Sequence, residues 1–165
     1  MSADSEAMID EALECWDRHQ TIMMLLLEAM PRGGMAALPE GSRGRDVARQ
    51  FAHICRVRQG WLIFHETGKR PQLPKTDKGK RPTKAQVRKE LRNTGKEVRA
   101  HLEAVFRREA VIRMFGKSAL QWMSYLISHE SHHRGLILLS LKQSDMKLED
   151  DVAIQGLWGT WIHKG

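Results

Sequence analysis

A chain of 165 residues, 41% hydrophobic and 28% charged, is long enough to bury a core and too apolar to be disordered throughout. No apolar run approaches the ~18 residues that a membrane span needs, and Cys15 and Cys55 lack any metal-like spacing, which argues against a membrane protein and a cysteine metal site. The net charge of +7 is uneven: between Lys69 and Lys117 there are 16 Lys+Arg against 5 Asp+Glu, a local +11 that leaves −4 on the remainder. A basic lobe of this kind attracts nucleic acid or an anionic small molecule, although a solvated helix face with a basic loop has the same composition. No aromatic residue is interleaved with the basic ones before Phe106, so a base-stacking surface is disfavoured. The acidic N-terminus (Asp4, Glu6, Asp10, Glu11) lacks the basic region of a signal peptide, so a cytoplasmic protein is expected.

In chain order, Ser5 or Asp4 caps a first helix that runs to about Met30, with Met8, Ala12, Cys15, Trp16, His19 and Met23 on one stripe. Pro31-Arg32-Gly33-Gly34 stops it. Ser42 or Asp46 starts a second helix to about Thr67, ended by Gly68, on which His53, Val57, Gly60, Trp61 and Phe64 recur at three- and four-residue steps. Gly68 to Pro82, with three prolines among basic residues, reads as a long linker. Thr83 opens a third, highly charged helix to about Arg108, with Val87, Leu91, Val98, Leu102 and Phe106 on a narrow stripe. The chain breaks near Phe115-Gly116, and Ser118 caps a fourth helix from Ala119 to about Lys142. The tail holds Asp151–Ile154, a candidate short helix, and Trp158-Gly-Thr-Trp161, a candidate lid. No stretch alternates with a period of two. The expected fold is all-α: one domain over 1–165, a four-helix bundle with a short C-terminal helix and a long connection between helices two and three.

The chemistry concentrates in Tyr125–Ile137, where three histidines and a glutamate interrupt an apolar run. His129 and His133 are four apart, so their rings stand one above the other on a helix face that also carries Leu126, Leu136 and Ile137. Two imidazoles on an apolar face are costly unless something shared holds them, and a divalent metal is the simplest such partner. A bundle can bring His53 of the second helix to the same point. Three neutral histidines with open positions is the composition of a catalytic metal site, because structural zinc normally takes four protein ligands. Taken alone, His53 reads more readily as a core histidine than as a metal ligand. His132 points to one side of the pair; Glu130 orients a ligand or water or is simply solvated; Arg134 pairs with a carboxylate or an anion; Tyr125, one turn before His129, either reaches a metal-bound group or packs in the core. The same letters match H-E-x-x-H, in which Glu130 is the general base of a zinc protease. The absence of a strand on which a peptide could lie counts against that reading.

The segment Tyr125-Leu-Ile-Ser-His129-Glu130-Ser-His132-His133-Arg134-Gly135, preceded by Gln50-Phe51-Ala52-His53-Ile54, Val57-Arg58 and Trp61-Leu62 and followed by Trp158-Gly-Thr-Trp161, resembles the DinB/YfiT-like family. The resemblance covers most of the chain, and one departure is Leu136, where members often carry Gln. It implies a four-helix bundle holding a divalent metal (zinc or nickel) on three histidines, which fall here on His53, His129 and His133. It further implies a homodimer, and either a thiol-dependent transferase using a low-molecular-weight thiol or a metal-dependent hydrolase. Glu130, Arg134 and Tyr125 are then the candidate catalytic residues. An alternative from another class is a non-catalytic, metal-stabilised protein that binds nucleic acid or another anion through the basic 69–117 region.

Overall fold

The computed structural model describes residues 2–75 and 79–163. Four long helices dominate: α1 (Ala3–Glu28), α2 (Val47–Thr67), α3 (Lys84–Phe106) and α4 (Ala119–Gln143). A π-helical turn (Val152–Trp158) runs directly into a short α5 (Gly159–Ile162). Among the described residues there is no strand, and no helix is long and apolar enough to cross a membrane. The fold is a helical bundle. α1 and α2 each pack on both α3 and α4, so one long interior runs between them.

The helix ends follow from local chemistry. Asp46 accepts the Arg49 backbone N–H at 2.9 Å, and Gly68 closes α2 in the left-handed region (φ 73°), returning its N–H to the Phe64 carbonyl. Thr83 and Gln86 form a reciprocal capping box on α3, and Ser118 caps α4 through the Gln121 N–H. α1 starts earlier than the sequence suggests: Ser2, not Asp4 or Ser5, is the cap, and Asp4 and Glu6 then occupy the first turn, where the helix dipole favours carboxylates. Residues 68–83 join α2 to α3; within this basic linker, Thr76, Asp77 and Lys78 lie outside the described residues.

Two of the expected stripes are displaced. On α1 the buried positions are Ile9, Leu13, Trp16, His19, Ile22, Met23, Leu26 and Leu27, while Met8 and Cys15 face outward. Cys15 is therefore not a core residue; Cys55 is, and burial pushes its thiol up to about 12. On α2 the deep stripe is Val47, Ala48, Phe51, Ile54, Cys55 and Arg58, one position away from the stripe through His53. Val57, Gly60, Trp61 and Phe64 stay half-buried beside it.

The interior has three levels. One apolar cluster joins Ile22, Leu26, Phe51, Ile54, Leu91, Ile137 and Leu141; the other joins Leu13, Trp16, Val98, Leu102, Trp122 and Leu126. Between them lies a polar layer built from all four helices. Arg58 of α2 grips Glu130 of α4 with two hydrogen bonds, Nε to Oε1 at 2.7 Å and Nη2 to Oε2 at 2.5 Å. His19 Nε2 of α1 lies 2.8 Å from Glu130 Oε2, and Arg58 Nη1 donates to Gln20 Oε1 and to the Leu91 carbonyl of α3. The guanidinium sits 5.0 Å from the centre of the Trp16 ring, whose indole N–H donates to the Gly95 carbonyl. Arg58, Glu130 and His19 are fully buried, and together they lock the relative settings of the helices.

Candidate metal centre

The pair predicted on α4 and the histidine predicted on α2 meet. His53, His129 and His133 each offer a ring nitrogen, and these atoms lie within 4.8 Å of one another. Ring centres are 4.6 Å apart for His129 and His133, 4.8 Å for His53 and His133, and 5.4 Å for His53 and His129. The His129 and His133 Nε2 atoms stand 3.2 Å apart. Two nitrogens bound tetrahedrally to one ion at about 2.0–2.1 Å would be roughly 3.3 Å apart, so the spacing suits a shared cation.

Protonation favours the same use. Burial first, then the neighbouring imidazoles, holds His133 down at about 3, and burial lowers His129 as well. Both rings are therefore neutral at ordinary pH, the form that binds metal. Gln50, one turn before His53, accepts the Nδ1–H of His133 through Oε1 at 2.5 Å. That bond fixes the tautomer and leaves the His133 Nε2 lone pair for the shared space. Gln50 is in turn tied to the Arg45 carbonyl, and the positive charge of Arg45 is felt by both α4 histidines. His129 Nδ1 is buried with no hydrogen-bond partner among the described residues.

The remaining sequence candidates are distributed differently. Tyr125 belongs to the site: its ring stacks on His129, centres 5.8 Å apart and planes at 19°, and it also meets Trp61 and Phe115. Glu130 sits beside His129 in sequence, but both its oxygens are engaged by Arg58 and His19 in the polar layer. Burial raises its pKa, yet the charge and hydrogen bonds of Arg58, with those of His19, outweigh this and hold it at about 2. Arg134 places its guanidinium 5.7 Å from the centre of the Trp158 ring, and burial lowers its pKa. His132 is exposed, its ring edge-on to that of His133. The C-terminal tryptophans do not cap the histidines: Trp161 packs on the cluster around Ile22, and Arg18 of α1 holds the segment through the Thr160 and His163 carbonyls.

The model of the DinB family matches residues 1–145. The chain belongs to the DinB family. A search of the curated proteins finds no match. The matched residues of this DinB chain contain α1 to α4, the three clustered histidines and Gln50; the π-helical turn and α5 lie beyond them.

Two residues had no role assigned from the sequence. Gln50 shares the His53 face at i−3, and that spacing is the signal that could have found it. Arg58 follows Ile54 by four residues on the deep face of α2, where a lone arginine reads as a helix charge until its carboxylate is seen.

Proposed function

We propose that this DinB protein is a metal-dependent enzyme whose divalent ion, zinc or nickel, is held by His53, His129 and His133. The observation that carries the reading is three imidazoles gathered at one point, two of them with ring nitrogens 3.2 Å apart. Three protein ligands would leave coordination positions open, and a divalent ion there supplies Lewis acidity that activates a thiol or a water at neutral pH. The chain's own residues do the rest. Gln50 holds His133 in the correct tautomer, Tyr125 stacks against His129 and fixes its ring, and the Arg45 cation favours a reacting group that carries or develops negative charge. A small thiol is the preferred nucleophile (transferase type) and water the second (hydrolase type).

The other two readings are weaker on physical grounds. As general base of a zinc protease, Glu130 would need a free oxygen at the metal, and both are committed to Arg58 and His19. As a nucleic-acid surface, the basic 69–117 region would need free cations, and much of α3 is paired within the bundle. Arg88 bonds Glu28, Arg99 bonds Asp17 and Glu103, and Arg107 bonds Glu6.

The decisive test is elemental analysis of purified protein beside His53→Ala and His129→Ala/His133→Ala variants. The expected result is one zinc or nickel per chain in the wild type and none in either variant. Metal retained in His53→Ala would remove that residue from the ligand set. A wild type that holds no metal and takes up none would end the enzyme reading.

A further inference from the structure

Next to the histidines, the half-buried stripe of α2 opens into a groove of about 350 Å³. Its walls are Val57, Gly60, Trp61 and Phe64 of α2, Pro71 and Leu73 of the linker, and Tyr125 of α4. Tyr125 is the shared wall, since its other face of contact is the His129 ring. Val57 follows His53 by one turn of α2, so the groove leads away from the histidine cluster along the helix axis. Trp61 is braced edge-on by Phe64, Phe115 and Tyr125, with ring centres 4.7–5.9 Å away, which gives the groove a rigid aromatic side. Gly60 forms part of the floor, and a Cβ there would only just reach Leu73 at 3.7 Å. The hollow exists partly because this position carries no side chain.

Two cations flank this apolar hollow. Arg56 lines it from α2 and donates Nη2 to the Leu73 carbonyl at 3.2 Å. Arg70 lines the groove from the linker and is otherwise exposed. A guanidinium at the wall of an apolar hollow is matched best by a carboxylate or phosphate oxygen. Hollows of this size, apolar with a few placed polar groups, are the usual form of small-molecule sites.

We propose that this groove is the substrate cleft and that it selects an amphipathic organic anion. The flat apolar or aromatic body lies between Trp61, Phe64 and Tyr125, and its anionic oxygens meet Arg56 and Arg70. The assignment as a substrate cleft rests on the metal reading above; the binding preference does not, and the test keeps the two apart.

The test uses the full chain and three probes: 2-naphthoate, the neutral 2-naphthalenemethanol, and acetate. Binding is followed by calorimetry and by Trp fluorescence, with metal content measured on every sample. The expected result is that 2-naphthoate binds at least about tenfold more tightly than the neutral analogue, as a charge-assisted contact implies, and acetate does not bind measurably. Gly60→Phe should abolish 2-naphthoate binding, and Arg56→Gln/Arg70→Gln should bring it down to the level of the neutral analogue. Metal content should be unchanged in both. Equal binding of the charged and neutral probes, or binding untouched by filling the groove, overturns the proposal. If Gly60→Phe does not fold, the arginine pair alone decides. A wild type that binds 2-naphthoate but holds no metal keeps the groove and sinks the metal centre; the reverse outcome sinks the groove alone.

Discussion

His129 and Glu130 are neighbours in sequence, yet each serves a different site, and the two sites are built on opposite principles. Both oxygens of Glu130 are bonded: Arg58 binds it twice, His19 once, and Gln20 and the Leu91 carbonyl take the remaining guanidinium contact. Among the described residues, the outer ring nitrogen of His19 alone of these three side chains is left without a hydrogen bond. Around His129 the neighbours are other imidazoles and not an ion pair. Two ring nitrogens face each other at 3.2 Å, and His129 Nδ1 is buried with no hydrogen-bond partner among the described residues. An ion pair with both carboxylate oxygens bonded fixes a fold, whereas three imidazoles whose ring nitrogens converge on one another suit a shared cation. The rigid layer directly beside the cluster is what keeps it from relaxing.

Removing one partner from each site should separate them sharply. Arg58→Met leaves Glu130 and His19 buried without their cation, and the cost should be about 3–5 kcal/mol in a urea unfolding titration. Adding Glu130→Leu to that variant should recover much of the loss, since an apolar pair is cheaper than a single buried charge. His129→Leu in metal-free protein should change stability by less than about 1 kcal/mol, or raise it, because it removes an unsatisfied nitrogen. Equal losses at the two positions would erase the distinction drawn here.

Acid should affect the two sites in different pH windows. His133 of the cluster, and His65 of α2, which lies outside both sites against the rings of Trp61, His101 and Trp122, have folded-state pKa values of about 3 and about 4, both below the ordinary 6.5. Burial is the first cause for each, so the unfolded chain takes up these protons earlier as pH falls. Their contribution is complete above pH 6.5 and is lost progressively between 6.5 and those values. For His65, which is 1% exposed, the loss by pH 4 is roughly 2–3 kcal/mol, and His65→Phe should flatten that part of the stability curve. Glu130 is held at about 2 against an ordinary 4.5, so its contribution is intact over the upper part of the histidine window and is lost only below pH 4.5. Metal bound to His133 should extend stability to lower pH, up to the point where protons displace it.

A smaller effect is expected at the hydrogen bond that supports the cluster. Gln50→Leu keeps all three histidines but leaves the His133 Nδ1–H without its acceptor. Metal affinity in competition with a chelator should fall about 10–100-fold, and Gln50→Glu should restore most of it. No change in Gln50→Leu would mean that the tautomer is set by something other than this contact.

Much of this arrangement was legible in the sequence because it obeys helical periodicity. The i, i+4 pair at His129 and His133, the stripe through His53, the caps Asp46, Thr83 and Ser118, and the stop at Gly68 all follow from local rules. The polar layer was not legible. A charge on a helix normally faces water, and only the packed bundle reveals that Arg58 and Glu130 are both turned inward at the same level. For the same reason the α1 stripe was misplaced. Met8 and Cys15 are apolar enough to suggest a core, but Ile9, one position after Met8, and Leu13, two before Cys15, are the residues that face the other helices.

Gly95 offers a way to disturb the layer without deleting a charge. It lies on α3 where Trp16 and Gln20 of α1 cross, and a Cβ at this position would overlap the Gln20 side-chain amide. Gln20 holds Arg58 at 2.7 Å and the Leu91 carbonyl at 3.1 Å, so Gly95→Ala must push it off both. On an exposed helix the same change would stabilise by about 1 kcal/mol through helix propensity. Here overpacking and the loosened Arg58 contact should more than cancel that gain, for a net loss of about 1 kcal/mol. Gly95→Ala/Gln20→Ala makes room for the new methyl and should return part of the propensity gain, which a double-mutant cycle would read as coupling between the two positions. Metal content should stay at the wild-type level in both variants. A Gly95→Ala protein that folds normally but loses its metal would show that the layer and the histidine cluster are not two sites but one.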